Sequence, residues 1–188
     1  MSDALRKQGS ALENQFFSEV DAKLLAQIRQ RMSELPKREA LAIVANIKDP
    51  QVLDALLALD IDATTFAAMT FVPVSAVAWA DGSLDDKERT AILQAAEQHG
   101  IKAGNPGYTL LAGWLAQAPP QVVVSAWYSY ISALKQETDP AWFKSLRSQI
   151  LGLAEKVAEA SGGILGLGTK VSPAERTKLA ELTKAFEV

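Results

Sequence analysis

A short pattern of residues that occurs twice, 80 residues apart, constrains the fold of this chain more than any other feature. Residues 77–83 (VAWADGS) align with residues 157–163 (VAEASGG). After an insertion of seven residues in the second copy, residues 84–90 (LDDKERT) align with residues 171–177 (VSPAERT). In each copy a helical segment leads into a turn of small residues and then into residues typical of a helix start. The chain is therefore predicted to contain a duplicated helix–turn–helix unit.

Helical signals cover the rest of the chain as well. A proline that follows a short polar residue or another proline suits the first turn of a helix. Such pairs predict helix starts at Asp49-Pro50, Asn105-Pro106, Pro119-Pro120, Asp139-Pro140 and Ser172-Pro173. Further helices are predicted over residues 40–47, over residues 64–80 with an entry or kink at Pro73, and over residues 85–99. Because no segment alternates as a half-buried strand does, we predict an all-α, multi-helix bundle with two pseudo-symmetric helix–turn–helix units.

The first 60 residues contain a wide apolar stripe. Its residues recur every four positions, at Leu12, Phe16, Val20, Leu24 and Ile28. A helix with this stripe ends before Pro36 and has to bury its apolar side, either against the duplicated core or against a second copy of the chain. We favour the chain's own core, because Pro36 and Asp49-Pro50 introduce reversals. This divides the chain into residues 1–60, a helical extension packing on the core, and residues 61–188, the domain with the internal duplication.

The composition excludes several kinds of site. The chain has 188 residues with no cysteine and one histidine, which removes disulfides, thiolate zinc sites and histidine-rich metal centres. With a net charge of −3 and no basic face, nucleic acid is not an expected partner. The start of the chain is charged, and prolines interrupt its charge-free stretches, residues 63–80 and 103–134, so we expect a cytoplasmic protein that is not transmembrane. Four tryptophans among apolar neighbours are predicted core residues: Trp79, Trp114, Trp127 and Trp142.

Helix capping alone can explain the turn of each unit. Gly82 and Gly162 suit the left-handed backbone that ends a helix. Residues 85–88 (DDKE) and 172–175 (SPAE) fit the capping box, in which the first and fourth side chains each accept a backbone N–H of the other residue. This interpretation needs no ligand.

The first turn also matches half of a calcium-binding loop. Residues 81–88 (DGSLDDKE) follow the second half of an EF-hand, from the acid before the glycine to the closing glutamate. The two earlier ligand positions fall on Val77 and Trp79, which cannot coordinate a cation, so a full EF-hand is excluded. What remains is a set of four carboxylates within eight residues, at Asp81, Asp85, Asp86 and Glu88. Such an oxygen-rich set suits Ca²⁺, Mg²⁺ or Mn²⁺, and the residues leave capping and metal binding as open alternatives.

Two helix–turn–helix units of this kind, each closing on a glutamate, resemble the TerB-like family, which is associated with bacterial tellurite resistance and stress responses. Residues 80–88 (ADGSLDDKE) are similar to the family's motif at nearly every position, and the resemblance covers residues 63–186. The second unit departs from the motif. Ser161 stands where the family usually has an aspartate, and the insertion, residues 164–170, lengthens the turn.

The resemblance implies an all-α fold with pseudo-two-fold halves and an acidic surface that binds a divalent cation. It places ligands at Asp81 and Glu88 in the first unit and at Glu175 in the second. Together with Asp85 from the half EF-hand, the predicted metal ligands are Asp81, Asp85, Glu88 and Glu175.

Three functions fit these observations. The first is a TerB-like cytoplasmic module that binds a divalent cation, a partner protein or both in tellurite or metal-stress resistance. The second is a metal-independent interaction scaffold in which the acidic turns are only helix caps. The third is a carboxylate–metal enzyme. It ranks last, because no nucleophile and base lie at a suitable spacing, and the chain is predicted not to be an enzyme.

Overall fold

The computed structural model describes residues 35–161 and 172–187, with only the backbone of residues 157–161, and also Leu24 and Gln27, which are both helical. These residues form eight α-helices and one 3₁₀ helix, and no strand occurs among them, so the all-α prediction is confirmed. The helices are α1 (Lys37–Ala45), α2 (Pro50–Leu57), the 3₁₀ helix (Phe66–Phe71), α3 (Val72–Ala78), α4 (Asp86–Gln98), α5 (Pro106–Ala116), α6 (Gln121–Glu137), α7 (Pro140–Ser161) and α8 (Pro173–Ala185).

The helix starts follow the predicted polar-residue and proline pairs. Asp49, Asn105 and Asp139 each accept a hydrogen bond from the backbone N–H two residues later, at 2.8, 2.9 and 2.9 Å. The proline between donor and acceptor has no N–H to satisfy, so the pair begins a helix without an unpaired donor at that position. These local signals fixed the beginnings of α2, α5 and α7.

The segment predicted as one helix over residues 64–80 is two elements. The 3₁₀ helix ends at Phe71, and α3 begins directly after it, with Pro73 in its first turn. Proline lacks the N–H that a continuous α-helix would require at this point, which explains the change of helix type. The α-helix then ends at Ala78, two residues earlier than predicted.

One hydrophobic core joins the early and late parts of the chain. On α6, Trp127, Ile131 and Leu134 are fully buried and line one side of the helix at the spacing of a helical face. Leu41 of α1 and Leu56 of α2 are buried in the same cluster. The described part of the first 60 residues therefore shares its core with the rest, while the proposed boundary at residue 60 stays a prediction.

Helix α6 also holds the linker between α1 and α2. The Tyr130 hydroxyl donates a hydrogen bond of 3.1 Å to the carbonyl oxygen of Ala45, and burial raises the pKa of this tyrosine. About two helical turns further along α6, the Glu137 carboxylate accepts hydrogen bonds from the backbone N–H groups of Lys48, at 2.6 Å, and Asp49, at 3.1 Å. The end of α1 and the beginning of α2 are thus both tied to one helix.

The two repeated units pack on each other in a reciprocal way. The first unit contains α3 and α4, and the second contains α7 and α8. Helix α3 contacts α7 and α8, and helix α4 contacts α7. The first helix of each unit therefore contacts both the first and the second helix of the other, as a two-fold relation requires. The units differ in the length of the first helix, which has seven residues in α3 and 22 in α7.

A polar turn formed by Asp62, Thr64 and Thr65 precedes the 3₁₀ helix. Asp62 Oδ1 accepts hydrogen bonds from the backbone N–H and hydroxyl of Thr64, at 2.8 and 2.7 Å, and from the N–H of Thr65, at 3.3 Å. Partial burial by itself raises the pKa of Asp62, but these hydrogen bonds and the charge of Lys37 lower it more, so its pKa lies below the usual value of 3.8. The turn is stabilised by the ionised carboxylate.

Two surface features complete the fold. Among the described helices, none is both long and apolar enough to cross a membrane.

Trp114 and Trp127 are buried as predicted, but Trp142 is 45% exposed, so its assignment to the core is wrong. Trp142 lies in the first turn of α7, where the next residue, Phe143, is the one whose side chain is buried in the core.

Candidate functional site

The turn of the first unit is organised by its own side chains. Asp81 Oδ1 accepts hydrogen bonds from the backbone N–H of Ser83, at 3.0 Å, and from its hydroxyl, at 3.2 Å, so one carboxylate oxygen closes an Asx-type turn. Gly82 has a φ of +91°, a backbone conformation that glycine adopts without strain. Before the turn, the Trp79 indole N–H donates a hydrogen bond of 2.9 Å to the carbonyl oxygen of Trp114 on α5. The predicted left-handed backbone at Gly82 is confirmed.

Helix α4 starts with the predicted capping box. Asp85 Oδ1 accepts hydrogen bonds from the N–H groups of Lys87 and Glu88, both at 2.8 Å. Glu88 Oε2 accepts in return from the N–H of Asp85, at 2.8 Å. Two of the predicted metal ligands, Asp85 and Glu88, therefore lie side by side because they cap a helix.

Helix α8 starts with a capping box of the same kind. The Ser172 hydroxyl accepts from the N–H of Glu175, at 3.1 Å, and Glu175 Oε2 accepts from the N–H of Ser172, at 2.6 Å. Two residues after each closing glutamate, the hydroxyl of Thr90 or Thr177 donates to the carbonyl four residues earlier, at 2.6 and 2.9 Å. The two helix starts share the same local hydrogen bonds, as the sequence alignment predicts.

The two closing glutamates differ in their surroundings. Glu175 is 5% exposed, whereas Glu88 is only half-buried and Asp81 and Asp85 are exposed. A glutamate buried to this degree is hydrogen-bonded in place, and the 2.6 Å bond to Ser172 is one such interaction. Glu175 therefore belongs to the interior of the capping turn, while Asp81 and Asp85 of the first unit face solvent.

The four predicted ligands do not form a recognisable metal centre. Within residues 35–161 and 172–187, no three histidine, cysteine, aspartate or glutamate side chains are grouped so that they could hold a metal ion. The hydrogen bonds bring Asp85 and Glu88 together and turn one oxygen of Asp81 towards Ser83. Gly162 and the insertion, residues 164–170, lie outside the described residues, so the predicted left-handed backbone at Gly162 and metal binding by the second turn stay predictions.

The structure also contains an exposed apolar surface that the sequence did not indicate. On α1, Ile43 is 62% exposed and Val44 is 40% exposed, although both are large aliphatic residues in a short helix. Ile43 lines a surface groove of about 680 Å³, together with Ala42, Asn46, Ile47, Lys48 and Glu137. We call Ile43, Val44 and this groove the α1 face. Sequence reasoning missed it, because the apolar pattern of residues 40–47 predicts a helix but not which of its side chains are covered.

A second groove is formed by residues of α2 and α6. It has a volume of about 400 Å³, and its lining includes Val52, Tyr128 and Ser132. Both depressions are open to solvent, and the α1 face has the larger apolar exposure.

Comparison of the chain with protein-family models, with curated proteins and with solved structures gave no match. The geometry of the described residues therefore carries the functional argument.

Proposed function

We propose that this chain is a cytoplasmic helical module that binds a partner protein through the α1 face, with its acidic turns serving as helix caps. The observation that supports this is the use of the carboxylates. Asp85 and Glu88 bond each other's backbone N–H groups, and Glu175 is buried in the equivalent bond to Ser172. These capping hydrogen bonds account for the positions of the three carboxylates without a bound ligand.

The α1 face has the chemistry of a protein-binding surface. Contiguous exposed aliphatic side chains are uncommon on a surface that contacts only water, and they mark interaction sites. Here Ile43 lines a groove that also carries the polar side chains of Asn46 and Lys48, and the exposed Val44 follows Ile43 in α1. An apolar centre with a polar rim is the usual organisation of protein interfaces.

Binding of a divalent cation is the second candidate, and it keeps the link with the TerB-like family and metal-stress resistance. It is favoured by the exposure of Asp81, Asp85 and Asp86 within six residues of one turn. Exposed carboxylates can bind Ca²⁺, Mg²⁺ or Mn²⁺ with few other ligands, although such sites are weak.

Thermal unfolding with and without cations separates these two functions. A ligand present at a hundred times its Kd stabilises the native state by about 2.7 kcal/mol, which is a shift of several degrees for a chain of this length. We expect no shift in Tm with millimolar Ca²⁺, Mg²⁺ or Mn²⁺. A shift that Asp81→Asn abolishes would establish the cation site instead.

Site-specific photo-crosslinking tests the partner surface directly. A photoreactive amino acid is placed at position 43 in one variant and at position 122 in another, in cells that express the chain. Val122 is the matched control, because it is an aliphatic residue of similar exposure, 55%, on α6 rather than on α1. We expect a discrete crosslinked protein from position 43 only. Equal crosslinking at both positions would mean that the α1 face has no special role.

A further inference from the structure

The exposed aliphatic residues of α1 stand out because they are adjacent. Ile43 and Val44 follow each other in one short helix, whereas the other large apolar residues that the structure leaves exposed are single ones, at Leu24, Val122 and Trp142. Leu24 belongs to the apolar stripe of residues 12–28, whose other members lie outside the described residues, so the packing of that stripe stays a prediction. Single exposed apolar residues are ordinary, but an adjacent pair beside a groove requires a covering surface that carries little charge.

The second groove, between α2 and α6, has the properties of such a surface. We call it the α2–α6 groove. Among the described residues that line it, Asp49 is the one that carries a charge. Its α6 side presents Ser129 and Ser132, which are exposed and small, so the groove of about 400 Å³ has room for larger side chains. Few charges at the centre of a surface are the compositional mark of a protein interface.

Each chain carries the α1 face and the α2–α6 groove close together. Lys48 lines the first and Asp49 the second, and likewise Glu137 lines the first and Gln136 the second. The α1 face is nevertheless not covered within its own chain, since Ile43 is 62% exposed. A two-fold contact requires that one patch on each copy contains both of the surfaces that meet. This patch contains a projecting apolar pair and an uncharged groove.

The charges of the two surfaces are complementary. The α1 face contributes the exposed Lys48, and the α2–α6 groove contributes Asp49. The Asp49 carboxylate accepts the N–H groups of Gln51 and Val52 through Oδ1 alone, so Oδ2 can accept from a lysine. The negative charge of Glu137, which also lines the α1 face, is directed to the backbone N–H groups of Lys48 and Asp49. Lys48 is therefore the charge that the α1 face offers to a partner.

We infer that the partner bound by the α1 face is a second copy of this chain, and that Ile43 and Val44 of each copy pack into the α2–α6 groove of the other. This inference rests on the proposed function and specifies the partner. Lys48 of each copy then lies beside Asp49 of the other copy. The contact is reciprocal, so it closes on itself as a two-fold dimer and covers both surfaces of both chains.

Sedimentation equilibrium over a wide range of protein concentration measures this dimer. We expect a mass of two chains at high concentration. Ile43→Glu and Ser132→Glu place a charge on the two sides of the contact, and each should weaken dimerisation by about tenfold or more, equivalent to about 1.4 kcal/mol. Val122→Glu is the matched control, because Val122 is exposed on α6 but does not line the groove. Circular dichroism checks that all three variants remain folded.

The salt dependence of a fourth variant tests the charge pairing. Lys48→Glu places two carboxylates opposite each other at the contact, so it should weaken the dimer at low ionic strength. The loss should shrink in high salt, which screens exposed charges. Ile43→Glu should weaken the dimer in high salt as well, because it disrupts apolar packing. A Lys48→Glu dimer that is as strong as the unchanged one at low salt would contradict the proposed orientation.

Disulfide trapping identifies which surfaces touch. Because the chain has no cysteine, single Ile43→Cys and Ser132→Cys variants carry one thiol each. Mixing the two variants, one with a mass tag, and oxidising the mixture should give a crosslinked heterodimer faster than mixing Ile43→Cys with Val122→Cys. If Ile43→Cys instead crosslinks fastest to itself, two α1 faces meet each other and the inference is wrong.

The outcomes separate this inference from the proposed function. A monomer at every concentration whose position 43 crosslinks to a protein of another mass retains the partner-binding function and refutes the dimer. A monomer with no specific crosslink at position 43 refutes both. A dimer that Ile43→Glu weakens and Ser132→Glu does not retains the α1 face as the binding surface and refutes its docking in the α2–α6 groove.

Discussion

Replacing Asp85 by alanine removes the acceptor for two backbone N–H groups at the start of α4. The Asp85 carboxylate accepts from the N–H groups of Lys87 and Glu88, both at 2.8 Å. Loss of an N-cap side chain costs about 1 kcal/mol, within a range of roughly 0.5 to 2 kcal/mol. For a chain of this length, 1 kcal/mol corresponds to a fall in Tm of about 2–4 °C.

Two further variants separate the hydrogen bonds from the charge. Asp85→Ser keeps an oxygen acceptor but loses the carboxylate, so it should lose only the favourable interaction with the helix dipole, about 0.3–1 kcal/mol. Asp86→Ala removes a neighbouring carboxylate at the first helical position, which is not the capping residue. In high salt, which screens the charge–dipole interaction, Asp85→Ser and Asp86→Ala should approach the Tm of the unchanged chain. Asp85→Ala should still unfold at lower temperature.

Thermal and urea unfolding followed by circular dichroism give these differences. The capping interpretation is refuted if Asp85→Ala is no less stable than Asp86→Ala in high salt. If Asp85→Ser is as damaging as Asp85→Ala at every salt concentration, the carboxylate itself is required. A cation ligand would show that behaviour, and a helix cap would not.

Three further predictions concern stability. Gly82→Ala should lower the free energy of unfolding by about 1–2 kcal/mol, because φ is +91° at this position, although no atom lies within 4 Å of an added Cβ. Gly113 is the control: it lies in a helix with equal space for a Cβ, so Gly113→Ala should be neutral or stabilising by up to about 1 kcal/mol. Equal Tm values for the two variants would contradict the strain argument. Ile131→Ala should cost roughly 2–5 kcal/mol in urea unfolding, since this side chain is fully buried, and a cost below 1 kcal/mol would contradict its place in the core. Because the pKa of Asp62 is lowered in the folded state, its ionised form contributes stability above the ordinary pKa of 3.8, and this contribution is lost as the pH falls through the lower pKa of the folded state. The difference in unfolding free energy between the unchanged chain and Asp62→Asn should therefore shrink in acid. A constant difference between pH 7 and pH 3 would refute the assignment.

Local sequence signals determined the starts of several helices and their caps. Asp49, Asn105 and Ser172 begin helices because a short polar side chain reaches only the N–H groups just after it, and the following proline removes one donor. The same holds for the capping box of residues 85–88 and for the positive φ of Gly82. These features depend on neighbours within four residues, so the sequence alone was sufficient.

The packing of the helices decided how deeply each capping carboxylate is buried. Both capping and metal binding suited Asp81, Asp85 and Glu88 in the sequence, because a carboxylate at a helix start satisfies either chemistry. The hydrogen bonds assigned Asp85 and Glu88 to each other, and burial placed Glu175 in the interior.

Tertiary structure also decided which apolar side chains are left uncovered. Leu41 and Ile43 are two residues apart in one short helix, yet Leu41 is fully buried and Ile43 is 62% exposed. A helical repeat states which residues share a side, but only the neighbouring helices determine which side is covered. For α1, that role falls to the elements it packs against, α2 and the 3₁₀ helix, and to α6, which holds the linker after it through Tyr130 and Glu137.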